Sequence, residues 1–198
     1  SGTDAINLPG GTITFLIAGA GENAAATGDL DLTDDVTING NNTIVNGGDL
    51  DRIFHILPGA DVTMSHITIF DGTNTSGYPG GGGIGIEGSL TISQSVISSN
   101  QETGSGGGIG MGTDAQLNMD DVVVSDNTAI DGGGLFHGSG LLAEAVISNS
   151  TFIGNVSDND GGGLAFLGGG SLTLTDTDFA LNTANGGTGG TANGGGAI

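Results

Sequence analysis

The sequence predicts an all-β fold: a single-stranded parallel β-helix, or β-solenoid, of about seven coils with three short strands per coil. A run of three glycines and an apolar residue recurs at residues 81–84, 106–109, 132–135, 161–164 and, last, 194–197. A hydrophobic-x-x-Asn motif follows each of the first four copies, and its asparagines are almost evenly spaced along the chain: Asn100, Asn127, Asn155 and Asn182. Repeats of roughly 20 to 50 residues are typical of solenoids, in which each repeat stacks on its neighbours.

Within each repeat, apolar and polar residues alternate as they do in a half-buried strand, for example in residues 90–93 and 172–175. No segment shows a helical period. The right-handed crossover rule for parallel strands favours a right-handed helix. Equivalent positions of successive repeats are expected to face inward and to form a column of apolar residues. One such column begins before the first glycine triplet and has one member in each repeat: Val36, Val62, Leu90, Leu117, Ala145 and Leu172.

The four repeated asparagines are expected to turn inward at a corner of the coil. An inward amide can bond backbone groups of its own turn and the equivalent amide of the next coil. Such a ladder would be structural.

We predict a single β-helix domain over residues 1–198. Residues 1–28 are expected to form an irregular first coil, residues 29–185 the regular coils, and residues 186–198 the glycine-rich start of a further coil. Natural solenoids carry polar caps, and no amphipathic capping helix is evident at either end. We therefore expect another copy, or the remainder of a longer surface protein, to stack head to tail on the terminal coils. The residues at these assembly ends are Ile6, Leu8, Ala197 and Ile198.

The charge of the chain limits its partners. Twenty-two acids stand against a single arginine, Arg52, which gives a formal net charge of −21. Such a surface repels nucleic acids and anionic membranes, so neither is an expected partner. No stretch approaches the roughly 20 apolar residues of a membrane span. The composition suits an extracellular or cell-surface protein in a saline or calcium-containing medium, where counterions screen self-repulsion.

The paired glycine-triplet and asparagine motifs resemble the repeats of polymorphic outer-membrane-protein-type and related large bacterial surface β-helices. Residues 4–9, 28–35 and 51–54 are also similar to the opening of β-helices that follow a Cys-Ser-Leu-Arg-Glu-Ala leader motif, which does not occur in this sequence. The resemblance implies a right-handed β-helix and an adhesin-like protein at the cell surface or outside the cell. It brings no catalytic residues with it.

An enzyme is the first alternative, because parallel β-helices include polysaccharide lyases and hydrolases. A lyase needs a basic group, and only Arg52 is available. A glycosidase needs two facing carboxylates about 5–10 Å apart, and four acid pairs have a suitable spacing. In the repeat register, no histidine or basic residue is expected near them, so we predict that the protein is not an enzyme. The pairs are Asp29/Asp31, Asp49/Asp51, Asp158/Asp160 and Asp176/Asp178.

No cofactor is required by the sequence, but calcium is the metal that its corner loops would suit. The histidines, His55, His66 and His137, fall on different coils and positions, so a zinc site is not expected. His137 lies in an apolar column and is expected to be a satisfied core residue. Oxygen ligands abound beside the glycine triplets, and the candidate calcium ligands are Asp126, Asp131, Asp158 and Asp160.

One outward face is rich in threonine and serine. A flat grid of such residues suits carbohydrate, protein or ice, although ordinary strand propensity also explains it. A carbohydrate-binding or carbohydrate-active β-helix and an ice-binding face are therefore alternatives to the adhesin-like function. The grid pairs Thr37/Asn39, Thr63/Ser65, Thr91/Ser93, Asn118/Asp120, Val146/Ser148 and Thr173/Thr175.

Overall fold

The computed structural model describes residues 4–19, 27–75 and 77–186. Every regular element in these ranges is a β-strand. The strands are β1 (Asp4–Asn7), β2 (Thr12–Thr14), β3 (Leu30–Leu32), β4 (Val36–Asn46), β5 (Phe54–Ile56), β6 (Asp61–Phe70), β7 (Thr73–Asn74), β8 (Ile84–Ile86), β9 (Ser89–Ser98), β10 (Gln101–Glu102), β11 (Ile109–Met111), β12 (Gln116–Ser125), β13 (Thr128–Ala129), β14 (Leu135–His137), β15 (Glu144–Ser148), β16 (Thr151–Ile153), β17 (Val156–Ser157), β18 (Leu164–Phe166), β19 (Ser171–Thr175), β20 (Asp178–Ala180) and β21 (Thr183–Ala184).

The strands stack in parallel into three sheets of ten, six and five strands. The largest sheet contains the run β1-β4-β6-β9-β12-β15-β19, the six-stranded sheet runs from β3 to β18, and the five-stranded sheet from β7 to β21. The predicted all-β parallel β-helix is confirmed. The predicted number of coils is slightly too high, because seven stacked strands enclose about six turns.

Two corners of each coil are marked by left-handed backbone. At the first corner, which lies within β6, β9 and β12 and then between β15 and β16 and between β19 and β20, positive φ angles of 47° to 55° recur at His66, Gln94, Asp121, Asn149 and Asp176. A second set lies just before the next corner, at Asp71, Ser99, Asp126, Gly154 and Leu181. Asparagine, aspartate and glycine adopt this conformation at the lowest cost, which explains why short polar residues dominate both sets.

The interior is a continuous apolar core that extends from Val36 to Leu164. The predicted columns are in register, since Val62 pairs with Leu90, Leu90 with Leu117, and Leu117 with Ala145. His137 is fully buried in this core. Its Nδ1 lies 3.4 Å from the carbonyl oxygen of Met111 and its Nε2 lies 3.1 Å from that of Gly169, so both ring nitrogens meet polar groups.

The four repeated asparagines stack on one another inside the third corner. The Nδ2 groups of the first three asparagines donate to the Oδ1 of the next asparagine at 2.9–3.0 Å. All four Nδ2 groups donate to a backbone carbonyl one coil below at 2.9–3.2 Å. Each Oδ1 also accepts the backbone N–H of the asparagine below it, at 2.9–3.1 Å. At the lower end, Gly72 replaces the asparagine and donates its N–H to Asn100 Oδ1 at 2.9 Å. The stack comprises Asn100, Asn127, Asn155 and Asn182.

Replacing Asn127 with alanine should lower the free energy of unfolding by roughly 1–3 kcal/mol, because the buried amide of Asn100 and the carbonyl of Ile97 lose their partner. Urea denaturation measures the change. The matched control is Asn118→Ala, which removes an exposed asparagine from β12 and should leave stability nearly unchanged. Equal effects in the two variants would contradict a structural role for the stack.

One acid lies in the otherwise neutral inner row of the five-stranded sheet. Glu102 is only 3% exposed, and burial raises its pKa to about 7. Hydrogen bonds from Gly104, Asn74 and Thr103 and the charge of Arg52 oppose that rise without cancelling it. Glu102 is therefore a site where ionisation at neutral pH weakens the fold.

The folded chain holds the Glu102 proton more tightly than the unfolded chain, whose pKa is near 4.5. Its contribution to stability is thus complete below pH 4.5 and is lost as the pH rises to about 7. Glu102→Gln should remove this loss, so that the variant gains roughly 2 kcal/mol over the parent between pH 5 and pH 8. Urea titrations at both pH values test this, with the exposed Glu144→Gln as control. A parallel pH dependence in parent and Glu102→Gln would refute it.

Candidate functional site

The candidate site is built on the outer face of the six-stranded sheet, at its first coils. Asp31 in β3 pairs with His55 in β5, which pairs with Gly85 in β8. The neighbours of His55, Phe54 and Ile56, are buried in the core, so the alternation of the strand directs His55 outward. His55 is nevertheless only 3% exposed.

A covering loop explains why this outer face is buried. Residues 77–81 cross the sheet over two outward positions that carry no side chain, Gly85 and Gly110. A Cβ atom at Gly85 would lie 2.8 Å from the carbonyl oxygen of Gly80, and one at Gly110 would lie 2.5 Å from its carbonyl carbon. Only glycine therefore allows this loop to lie on the sheet.

Beneath the covering loop, the only arginine of the chain is ion-paired. Arg52 Nη2 and Nε lie 2.7 and 2.8 Å from Asp29 Oδ2, and Nη1 donates to the carbonyl of Gly80 at 3.3 Å. Asp51 Oδ1 accepts the backbone N–H of Arg52 at 2.8 Å, whereas its buried Oδ2 has no hydrogen-bond partner among the described residues. The guanidinium thus fixes both the first coil and the covering loop to the second coil.

His55 lies between two carboxylates. Its Nδ1 is 3.2 Å from Asp31 Oδ1, and its Nε2 is 3.0 Å from Glu87 Oε1. The side chain of Asp31 is fully buried, while that of Glu87 is 22% exposed. The chain of contacts therefore runs from a buried acid, through the histidine, to an acid that reaches solvent.

Burial dominates the electrostatics of the two other acids. Desolvation raises the pKa of Asp29 above its ordinary value, against the opposing charge and hydrogen bond of Arg52. Desolvation also raises the pKa of Asp51, and the nearby charges of Asp29 and Asp31 add to the rise. The buried part of the site thus contains more carboxyl groups than the single guanidinium of Arg52 pairs with.

Glu87 joins this buried part to an open cleft of about 410 Å³. The phenol oxygen of Tyr78 accepts the backbone N–H of Thr113 at 2.8 Å, which fixes the tyrosine at the edge of the cleft with 57% of its surface exposed. The other polar side chains around the cleft are Asp61, Ser89, Thr113, Asp114 and Gln116.

The prediction that no histidine or basic residue lies near the Asp29/Asp31 pair is wrong, since Arg52 and His55 contact it directly. The reason is an irregular step between the first coils. Asp31 and the His55 that it contacts are 24 residues apart, whereas equivalent asparagines of the regular coils are separated by 27 or 28 residues. A signal was present in three apolar-x-apolar triplets, which the structure aligns: residues 30–32, 54–56 and 84–86.

Three of the candidate calcium ligands, Asp131, Asp158 and Asp160, lie in segments between the five-stranded and the six-stranded sheet, whereas Asp126 lies one corner earlier. Asp126 precedes the asparagine stack, Asp131 forms an isolated bridge with Ser105, and the carbonyl of Asp160 accepts the N–H of Gly132 at 2.8 Å. Asp158 follows strand β17 and is exposed. Across the described ranges, one group of three or more acids and histidines has all its ligand atoms within 4.8 Å of one another, and it consists of Asp29, Asp31 and His55. Calcium binding at the four corner acids stays a prediction.

The remaining predicted surfaces also have positions in the structure. Ile6 and Leu8 lie in the first coil, whereas Ala197 and Ile198 lie outside the described residues. The threonine and serine pairs are stacked in register on one sheet face, where Asn118 and Val146 replace threonine. Ice binding by this face stays a prediction.

Among the described residues there is no helix long and apolar enough to cross a membrane. Comparison with curated proteins gives no match, and neither does comparison with solved structures. A family model described as a right-handed β-helix region matches residues 22–186. Polysaccharide-degrading enzymes and proteins without enzymatic activity both occur among such helices. Since the match covers most of the sequence, the chain belongs to the right-handed β-helix family.

Proposed function

We propose that this protein is a non-enzymatic, adhesin-like β-solenoid of the cell surface or extracellular space, and that it recognises a neutral carbohydrate in the cleft beside Tyr78. The observation that carries the proposal is the fixed, half-exposed tyrosine at the edge of a polar cleft. Fixation matters because a ring that is already positioned loses little conformational freedom on binding.

The chemistry of the cleft fits a sugar. An exposed aromatic face packs against the apolar face of a pyranose ring, and sugar hydroxyls donate hydrogen bonds to carboxylates and amides. Asp61, Glu87 and Asp114 supply carboxylates, and Gln116 supplies an amide. A volume of about 410 Å³ lies in the usual range of small-ligand sites.

The charge of the cleft restricts the class of sugar. Its lining contains three acids and no lysine, arginine or histidine. A uronate or a sulfated sugar would meet uncompensated repulsion there, whereas a neutral or amino sugar would not. We therefore expect neutral glycans to be preferred over acidic ones.

The non-enzymatic part of the proposal rests on the surroundings of Glu87. Its Oε1 contacts His55 at 3.0 Å, so this carboxylate is already engaged in a fixed pair. The competing function is a carbohydrate-active β-helix that uses the same cleft to hydrolyse its ligand. Release of reducing ends from a bound glycan distinguishes the two functions.

Tyr78→Ala should weaken glycan binding at least tenfold, about 1.4 kcal/mol, because the stacking surface is lost. A glycan array with the labelled parent chain identifies the ligand, and calorimetry then compares the variants. Tyr78→Phe should retain most of the affinity, because it keeps the ring. Leu141→Ala, which removes an exposed side chain outside the cleft lining, serves as the control.

Binding that survives Tyr78→Ala would place the glycan elsewhere, and a preference for uronates would contradict the electrostatic argument. Steady release of reducing ends by the parent chain would replace the non-enzymatic function with the carbohydrate-active one. An array without any bound glycan would overturn the proposal.

Head-to-tail stacking into filaments is a second candidate, supported by the exposure of the first coil. Ile6 is 45% exposed and Ile13 is 36% exposed, whereas Ile38, the partner of Ile6 in the next coil, is 4% exposed. A further coil placed on this end would cover both isoleucines.

If the first coil is an assembly surface, the parent chain should associate as its concentration rises, and Ile6→Asp should remain monomeric, because a carboxylate cannot be buried there without a partner. Sedimentation velocity measures this. Leu141→Asp is the control, since it adds the same charge at an exposed site in a side loop. A parent chain that stays monomeric at high concentration would eliminate this candidate.

A further inference from the structure

We propose that Asp29, Asp31 and His55 form a binding site for a divalent metal of the zinc class, which ties the first coil of the solenoid to the second. The proposal does not depend on carbohydrate binding in the cleft. It rests on the convergence of three ligands, on the contacts of His55 and on the number of buried carboxyl groups.

The potential ligand atoms of the three side chains converge on one place. One potential ligand atom from each of the three residues lies within 4.8 Å of the other two. His55 Nδ1 and Asp31 Oδ1 are 3.2 Å apart, close to the roughly 3.4 Å between two ligands of a tetrahedral zinc at about 2.1 Å each. Both contacts of Arg52 with Asp29 are made to Oδ2, which leaves Oδ1 for a metal.

His55 contacts two carboxylates, one through each of its ring nitrogens. A neutral imidazole carries one N–H, yet both ring nitrogens face carboxylate oxygens, at 3.2 and 3.0 Å. If the proton is on Nε2 and points to Glu87, the lone pair of Nδ1 faces the lone pairs of Asp31. A cation between them removes this repulsion. A histidine that binds a metal through one nitrogen and donates the other N–H to a carboxylate is the usual arrangement around zinc.

Acidic side chains outnumber basic ones around Arg52. Four carboxylates, those of Asp29, Asp31, Asp51 and Glu87, surround one guanidinium, and all except Glu87 are almost completely buried. Within the part of the chain that the structure describes, Asp51 Oδ2 has no hydrogen-bond partner, and it lies against Gly28, the residue before Asp29. Buried carboxyl groups are costly unless they are paired, and a divalent ion bound between them would pair with them.

The ligand set favours zinc over calcium. Calcium and magnesium take oxygen ligands in shells of six or more, whereas a nitrogen ligand and a small ligand number are typical of zinc and its neighbours in the first transition row. The three protein ligands would leave one tetrahedral position for water. This assignment differs from the corner-loop calcium ligands in residues, in metal and in place.

Calorimetric titration of the chelator-treated full chain with Zn²⁺, at high ionic strength to suppress loose binding to the acidic surface, tests the proposal. We expect one equivalent of bound zinc and a raised melting temperature. His55→Gln and Asp31→Asn should each weaken binding at least tenfold. Glu87→Gln should weaken it about tenfold through its effect on the orientation of the histidine. The matched controls, His66→Gln and Asp158→Asn, should bind as the parent does.

A second measurement uses only the parent chain, so it tests the proposal even where a variant fails to fold. In ¹⁵N-histidine spectra of the parent chain, zinc should shift the Nδ1 signal of one histidine, and calcium at millimolar concentration should not. Co²⁺ should give the visible spectrum of a site with a nitrogen ligand. Saturable binding that is equally strong in His55→Gln would overturn the proposal. So would a doubly protonated His55 that zinc leaves unchanged, since an imidazolium would then balance the carboxylates.

Discussion

The hydrogen-bonded stacking of each coil on the next is the constraint on which the rest of the structure depends. A parallel β-helix satisfies its backbone only if every coil returns to the same path about 4.8 Å further along the axis. The asparagine stack enforces this return at one corner, because each amide bonds the coils on both sides of it. Left-handed residues before the stack then turn the chain at a fixed point. Repetition is therefore a requirement of the backbone and not only of the core.

The same constraint determines where the solenoid departs from regularity. Successive coils must keep their strands in register, but the segments between the strands can project from the sheets of the solenoid. Residues 77–81, which lie between β7 and β8, fold back over the outer face of the six-stranded sheet. Gly85 and Gly110 leave room for this loop because they carry no side chain. The loop buries a row of outward-facing positions on this sheet. Arg52, His55 and the acids that they contact are buried as a result.

Most of the stacked strands could be predicted from the sequence, because the inward-facing apolar residues and the asparagines recur at one nearly constant interval. The candidate site could not, for two physical reasons. Its coils differ in length, since the step from Asp31 to His55 is shorter than a regular repeat and the step from His55 to Gly85 is longer, so the repeat register fails there. The covering loop is also a tertiary contact: Tyr78 meets Thr113, 35 residues later, and no local pattern encodes that distance. A search for apolar-x-apolar triplets would have aligned the strands but not the loop.

The location of the single strong base connects the fold to the surface chemistry. Arg52 is 5% exposed and is held by Asp29, so its charge is directed inward to the first two coils. The exterior is consequently acidic, with no lysine or arginine to attract an anion. A surface of this kind selects its ligands by exclusion: polyanions are repelled at long range, while neutral sugars, cations and apolar edges are not. The acidic cleft beside Tyr78 and the proposed cation site that Glu87 joins to it both follow from this separation of charge, one at the surface and the other in the interior.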